Sequence, residues 1–157
     1  MANINFSLDV LTALVTAVGI FLAYRGLSSQ LNVQNKQLKV EIFSEYSSRY
    51  QQIIADFPEG INEQNFELTK LDPNTYQKTM RKMRQYFDLC FEEWYLNSKE
   101  LLESDFWNLW SGGMTTALSK PAFVDAWIKV KATSVYGADF EKFIDAKIAS
   151  VNIKGKF

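Results

Sequence analysis

Arg84, Asp88 and Glu92 recur at every fourth position of one stretch, with Glu93 beside the last of them. On an α-helix that spacing stacks all three on one face. Two carboxylates and a guanidinium on one face are residue types suited to acid–base chemistry, to a carboxylate-held metal or to a phosphate-bearing ligand. The competing reading is ordinary helix stabilisation, since an exposed Arg–Asp pair four residues apart contributes about 0.3–0.5 kcal/mol. The residue types favour that structural role. Lys78, Arg81 and Lys82 precede the trio and, with Arg84, make the first half of the same helix basic, interleaved with Met80 and Met83. A solvated face is the simplest account of such a cluster; anionic lipid and a phosphate-bearing signal are the alternatives. Lys78, Arg81, Lys82, Arg84, Asp88 and Glu92 are therefore the candidate partner or ligand contacts. No catalytic, cofactor-binding or metal-ligating residue is assigned.

Composition narrows the chemistry further. The 157 residues include no histidine and one cysteine, Cys90. That excludes Ser-His-Asp and Cys-His triads, a histidine base, zinc sites of ordinary ligand spacing and a disulfide framework. Di-metal carboxylate bundles commonly use Glu-x-x-His, which a chain without histidine cannot supply. Seventeen basic residues nearly balance eighteen acidic ones, and setting aside Asp9 and Arg25 leaves 16 against 17. No basic body points to nucleic acid as a partner. The length fits one core.

The elements that must position these residues begin with an apolar segment. Positions 10–24 carry no charge, and positions 6–9 extend the segment outward past Asp9. At 1.5 Å per residue the charge-free part covers about 22 Å of a hydrocarbon layer of about 30 Å, so Asp9 reaches the interface or the helix lies in a thinned or protein-lined region. A signal peptide is the competing reading, but no Lys or Arg precedes the segment and Ala23-Tyr24-Arg25 is not a small-x-small cleavage site. We expect a short external tail at 1–8 and an uncleaved transmembrane helix at 9–26. Arg25, Lys36 and Lys39 follow it, which puts the N-terminus outside and the body in the cytoplasm, in keeping with a free Cys90.

Within the segment, Asp9, Thr12, Thr16, Gly19, Ala23 and Gly26 are spaced 3, 4, 3, 4, 3 and form one helical stripe. Small and hydroxylated residues let transmembrane backbones approach closely, so the stripe is read as a self-association surface. The bland alternative is chance placement of small residues. A narrower one is a water-facing ring with Asp9 at its outer mouth, which would make a cation-favouring pore.

No proline occurs before Pro58, so the span should continue as helix to about position 55, weakened near Gly26 and Ser28-Ser29. Leu31, Asn35, Leu38 and Ile42 suit a juxtamembrane stalk over 27–42, and Phe43, Tyr46, Tyr50, Ile53 and Phe57 a core face. Positions 58–72 read as a loop with a turn of helix at 66–68. Asp72-Pro73 is a cap with proline at the first helical position, and Tyr76, Met80, Met83, Phe87, Cys90 and Trp94 follow at 4, 3, 4, 3, 4. Tyr86, Leu89, Tyr95 and Leu96 make a second apolar side, so this should be the central helix. A break at 97–100 precedes a helix over 104–118, where Gly112-Gly113 permits a bend or a close crossing. Further helices start at Pro121 and after Gly137. The four tryptophans, Trp94, Trp107, Trp110 and Trp127, read as core or subunit interface, and Cys90 as an inert buried thiol. The expected fold is all-α: one N-terminal transmembrane helix, a cytoplasmic four- or five-helix bundle over 43–151, and a flexible tail over 152–157.

Positions 43–53 (FSEYSSRYQQI), 86–96 (YFDLCFEEWYL), 107–112 (WNLWSG) and 121–127 (PAFVDAW) resemble a family of small uncharacterised bacterial proteins with one N-terminal span and a cytoplasmic helical domain. That resemblance implies a bacterial inner-membrane location and no activity. The layout is also similar, more distantly, to the pore-forming membrane accessory protein of type VI CRISPR systems, whose helical domain is related to the HEPN ribonuclease fold. The Arg-x4-His motif of that fold has no counterpart, since Leu89 follows Arg84 and Tyr86 follows Arg81 at the fifth position. The leading expectation is a non-enzymatic, self-associating membrane protein whose bundle binds a cytoplasmic protein or signal, as a pore-forming or membrane-acting effector in phage defence or stress. The alternative is a degenerate HEPN-like or other helical-bundle enzyme acting on RNA or a nucleotide through Arg84, Asp88 and Glu92.

Overall fold

The structure, a computed structural model, describes residues 2–154, with side chains from Leu8 to Val151. Among the described residues there are five α-helices and no strand: α1 Ala2–Ile54, α2 Pro73–Ser98, α3 Ser104–Ala117, α4 Pro121–Lys131 and α5 Ala138–Lys154. The expected all-α class is observed. The chain divides into two compact units, Met1–Ser44 and Glu45–Phe157.

The first unit is helix α1 up to Ser44. The helix is unbroken at Gly26 and at Ser28-Ser29; a lone glycine costs about 1 kcal/mol against alanine, too little to interrupt a 53-residue helix. The segment expected as a tail at 1–8 is helical from Ala2, and Met1 lies outside the described residues. Every side chain from Leu8 to Leu27 is exposed. An 18-residue window here has mean hydropathy 1.8 with none of it buried, so α1 is long and apolar enough to cross a membrane.

The second unit is built around α2. Asp72 caps it, its carboxylate accepting from the Asn74 and Thr75 amides at 3.1 Å, with Pro73 at the first position. A hydrogen bond from the Thr75 side chain, together with those two amide hydrogen bonds, holds the Asp72 carboxyl below its ordinary pKa. Met83, Phe87 and Leu89 are almost wholly buried, so α2 is covered on two sides as its double apolar face requires. Trp127 of α4, 1 % exposed, packs on Phe87 with ring centroids 5.0 Å apart and edge-on to Phe140 of α5 at 5.9 Å. Its indole N–H donates to Asp145 at 2.9 Å, which satisfies the one polar group of a buried ring.

The structure revises several expectations. At the end of the α2 stripe Trp94 is half-buried and Glu93 is the buried residue. Of the tryptophans only Trp127 is fully in the core; Trp94, Trp107 and Trp110 are half-buried. The short turn in the 58–72 loop is a 3₁₀ turn at Leu68–Lys70. Gly112-Gly113 does not break α3, and among the described residues no element crosses it closely, since a Cβ at either would meet nothing within 4 Å. Helix α5 runs to Lys154, three residues into the segment expected to be a flexible tail; 155–157 lie outside the described residues. The expected break after α2 is made at Lys99–Glu100. The Leu101 amide reaches back to the Leu96 carbonyl at 3.0 Å, and Glu100 takes the left-handed φ of 56° usually given to glycine there.

Two stability predictions follow from this packing. Trp127→Ala should lose about 3–5 kcal/mol in chemical unfolding of the full chain, and Trp94→Ala clearly less. Equal losses would place Trp94 in the core after all. Glu100→Gly should gain about 1 kcal/mol by removing the left-handed penalty, and a loss there would mean that the Glu100 side chain contributes to the turn.

Candidate functional site

Glu92, in the last third of α2, faces Tyr46 and Arg49 near the end of α1. Arg49 donates to both of its carboxylate oxygens, at 2.6 and 2.8 Å, in the two-pronged geometry that guanidinium favours. The Tyr46 hydroxyl donates to the same carboxylate at 3.4 Å. The Arg49 guanidinium lies 5.2 Å from the Tyr46 ring centre, and that ring stacks on Trp110 of α3 at 5.1 Å. The Arg49 hydrogen bonds hold the Glu92 carboxyl below its ordinary pKa, and Glu92 in turn raises Arg49. Both side chains keep more than a third of their surface in water, so the pair stabilises by about 1 kcal/mol or less.

The next residue points the other way, because successive residues on a helix are about 100° apart. Glu93 is 6 % exposed. Burial pushes its carboxyl up to about 8; Arg49 opposes the shift and the Glu92 charge adds to it. Beside it Cys90 and Tyr86 hydrogen-bond one another, and burial raises both well above their ordinary values. A thiol so raised is neutral at pH 7 and a poor nucleophile. Lys147 of α5 completes this region: its ammonium donates to the Ser111 carbonyl at 3.0 Å and to the Ser111 and Thr115 hydroxyls at 2.8 Å each. All three acceptors are uncharged, and burial lowers the pKa of Lys147.

The six contacts expected from sequence do not converge. Arg84 is exposed and does not pair with Asp88, whose carboxylate instead accepts from the Tyr136 hydroxyl at 2.8 Å. Lys82 pairs with Asp56 at 2.8 Å, Lys78 and Arg81 face solvent, and Glu92 is engaged by Arg49. The i, i+4 reading of Arg84–Asp88 is therefore corrected, because a tyrosine from the α4–α5 turn reaches Asp88 first. Among the described residues no three metal-ligating side chains come together. In the first unit, Asp9, Thr12, Thr16, Gly19, Ala23 and Gly26 are all exposed along α1. The Thr12 hydroxyl donates to the Leu8 carbonyl at 2.9 Å and that of Thr16 to the Thr12 carbonyl at 2.8 Å, which turns both hydroxyls onto their own helix and leaves the stripe smooth.

Sequence reasoning missed Arg49, and it named Glu93 only as a neighbour. A signal for Glu93 existed, because Met83, Tyr86, Cys90 and Glu93 keep the 3, 4, 3 spacing of a buried stripe. It also missed a cavity of about 640 Å³ in the second unit, between the end of α1 and α3, lined by Tyr50, Phe57, Tyr86, Gly113 and Phe123. That volume lies within the range of small-molecule sites. No family model matches this chain, and neither the curated proteins nor the solved structures include a significant match.

Glu93 generates a pH prediction. Its folded pKa of about 8 lies above the ordinary 4.5, so between those values the folded chain holds the extra proton. Its contribution is fully present below about pH 4.5 and is lost as pH rises through about 8. Relative to Glu93→Gln, the parent chain should therefore lose on the order of 3–5 kcal/mol of stability between pH 5 and 9. Parallel stability–pH curves for the two chains would show that Glu93 is not titrating in the interior.

Proposed function

We propose that this chain is a non-enzymatic, single-pass inner-membrane protein that self-associates through α1 and uses its helical body, in the cytoplasm, to bind a partner or signal. One observation carries the reading: the run from Leu8 to Leu27 is helical and exposed along its whole length, and it carries no charge between Asp9 and Arg25. In water such a surface is an aggregation liability; in lipid it is the required exterior. Arg25, Lys36 and Lys39 on the body side support a cytoplasmic body. The Arg25 guanidinium lies 5.7 Å from the Phe21 ring centre, an aromatic–cation pair suited to the headgroup level.

Self-association is supported by the stripe. With Thr12 and Thr16 hydroxyls folded back and open space around Gly19 and Gly26, a second copy can bring its backbone close and gain the dispersion contacts that lipid does not supply. The family resemblance supports the inner-membrane setting. The layout similarity to the CRISPR accessory protein supports a membrane-acting role in defence or stress.

Three measurements test the proposal. The full chain should stay with the membrane pellet through alkaline carbonate extraction, and a reporter active only outside the cytoplasm should be silent when fused after Phe157. Gly19→Leu should lower the cross-linked subunit number while Leu14→Ile leaves it unchanged. Leucine makes the segment more apolar, so failed insertion would not explain the loss. An unchanged subunit number for Gly19→Leu would remove the stripe as the interface.

A further inference from the structure

The cavity between the end of α1 and α3 has a distinct construction. Tyr86 and Phe123, both buried, form its floor and meet edge-on with centroids 5.2 Å apart; Phe57 meets Phe123 in the same way at 5.6 Å. Tyr50, 44 % exposed although it lines a concavity, contributes a further ring. Gly113 lines the same space, and a Cβ there would meet nothing within 4 Å, so the missing side chain widens the cleft. Two charges belong to the lining. Lys120 is half-buried and takes part in none of the ion pairs among the described residues. Glu59 is exposed and better screened by water.

We propose that this cleft is a binding site for a small aromatic monoanion, its ring system laid against Tyr50, Phe57, Tyr86 and Phe123 and its negative group on Lys120. The four rings present faces and edges suited to a planar apolar body, since offset and edge-on aromatic contacts add to simple burial. Lys120 is the less exposed of the two charged residues, so its charge is the less screened by water, and it selects an anion. Glu59 at the water-exposed side disfavours a second negative charge, which separates this ligand class from nucleotides carrying several phosphates. The inference rests on the reading of the body as a binding module and gives its signal a chemical class. It does not depend on how α1 associates.

The test uses the full chain in phosphatidylcholine nanodiscs with 6-fluoro-2-naphthoate as probe and its uncharged primary amide as comparison, read by saturable ¹⁹F line broadening above that of empty nanodiscs. The parent should bind the naphthoate about fivefold more tightly than the amide, as one partly screened ion pair would give. Gly113→Leu fills the cleft and should weaken both probes at least ~10-fold, whereas Gly113→Ala should retain binding. Lys120→Gln should bring the two probes to equal affinity without abolishing either. Absence of saturable binding by the parent, parent-like binding by Gly113→Leu, or an unchanged preference in Lys120→Gln would each overturn the site. Should Gly113→Leu fail to fold, judged by its helical circular dichroism, the Lys120→Gln comparison decides alone. A failure with the parent's subunit number intact falls on this proposal and leaves self-association standing.

Discussion

The body depends on one constraint: α2 is apolar on two sides and must be covered twice. Phe87 and Met83 have no exposure at all, and Trp127, Phe140 and Ile144 from α4 and α5 close over the same region. Once α4 and α5 are placed, their remaining polar groups have to find partners near them, and they do. Asp145 takes the Trp127 N–H and the Lys131 ammonium, the latter at 2.6 Å, and Asp88 takes the Tyr136 hydroxyl. Covering α2 thus fixes the polar network as well as the core, because buried donors without acceptors would cost more than the contacts themselves contribute.

The same constraint separates Glu92 from Glu93. Adjacent on α2, they sit on opposite sides of the line between core and surface, so one is an ion-paired carboxylate and the other a mostly protonated acid at pH 7. A cluster that reads as three charges on one face is resolved by packing into separate engagements. Arg84 goes to solvent, Asp88 to a tyrosine and Glu92 to an arginine about forty residues earlier in the chain.

Periodicity made the helices legible. The Asp72-Pro73 cap, the α2 stripe and the Pro121 start all stand where spacing and local chemistry put them, because caps and helical faces are properties of neighbouring residues. The long α1 was legible for the same reason, through its lack of proline. The exchange of Trp94 for Glu93 at the end of the stripe was not. A spacing argument ranks residues by apolarity, whereas the helix can turn only as far as its earlier contacts at Met83, Phe87 and Cys90 allow. The Arg49–Glu92 pair and the cleft were beyond reach for a different reason: each joins segments distant in sequence, and the cleft is defined by space beside Gly113 rather than by a residue type.

Glu93 also bears on the character of that cleft. Tyr50 and Tyr86 line the space, whereas Glu93 is buried and lies outside that lining. Protonated at neutral pH, it leaves the wall uncharged, and Cys90 and Tyr86 beside it are neutral as well. The Arg49 charge on the far side is already matched by Glu92, and Lys147 is held by uncharged acceptors on α3. The interior behind the rings therefore sets no charge against that of Lys120. Ionisation of Glu93 above about pH 8 would add a negative charge to that interior and weaken the pull of Lys120 on an anion.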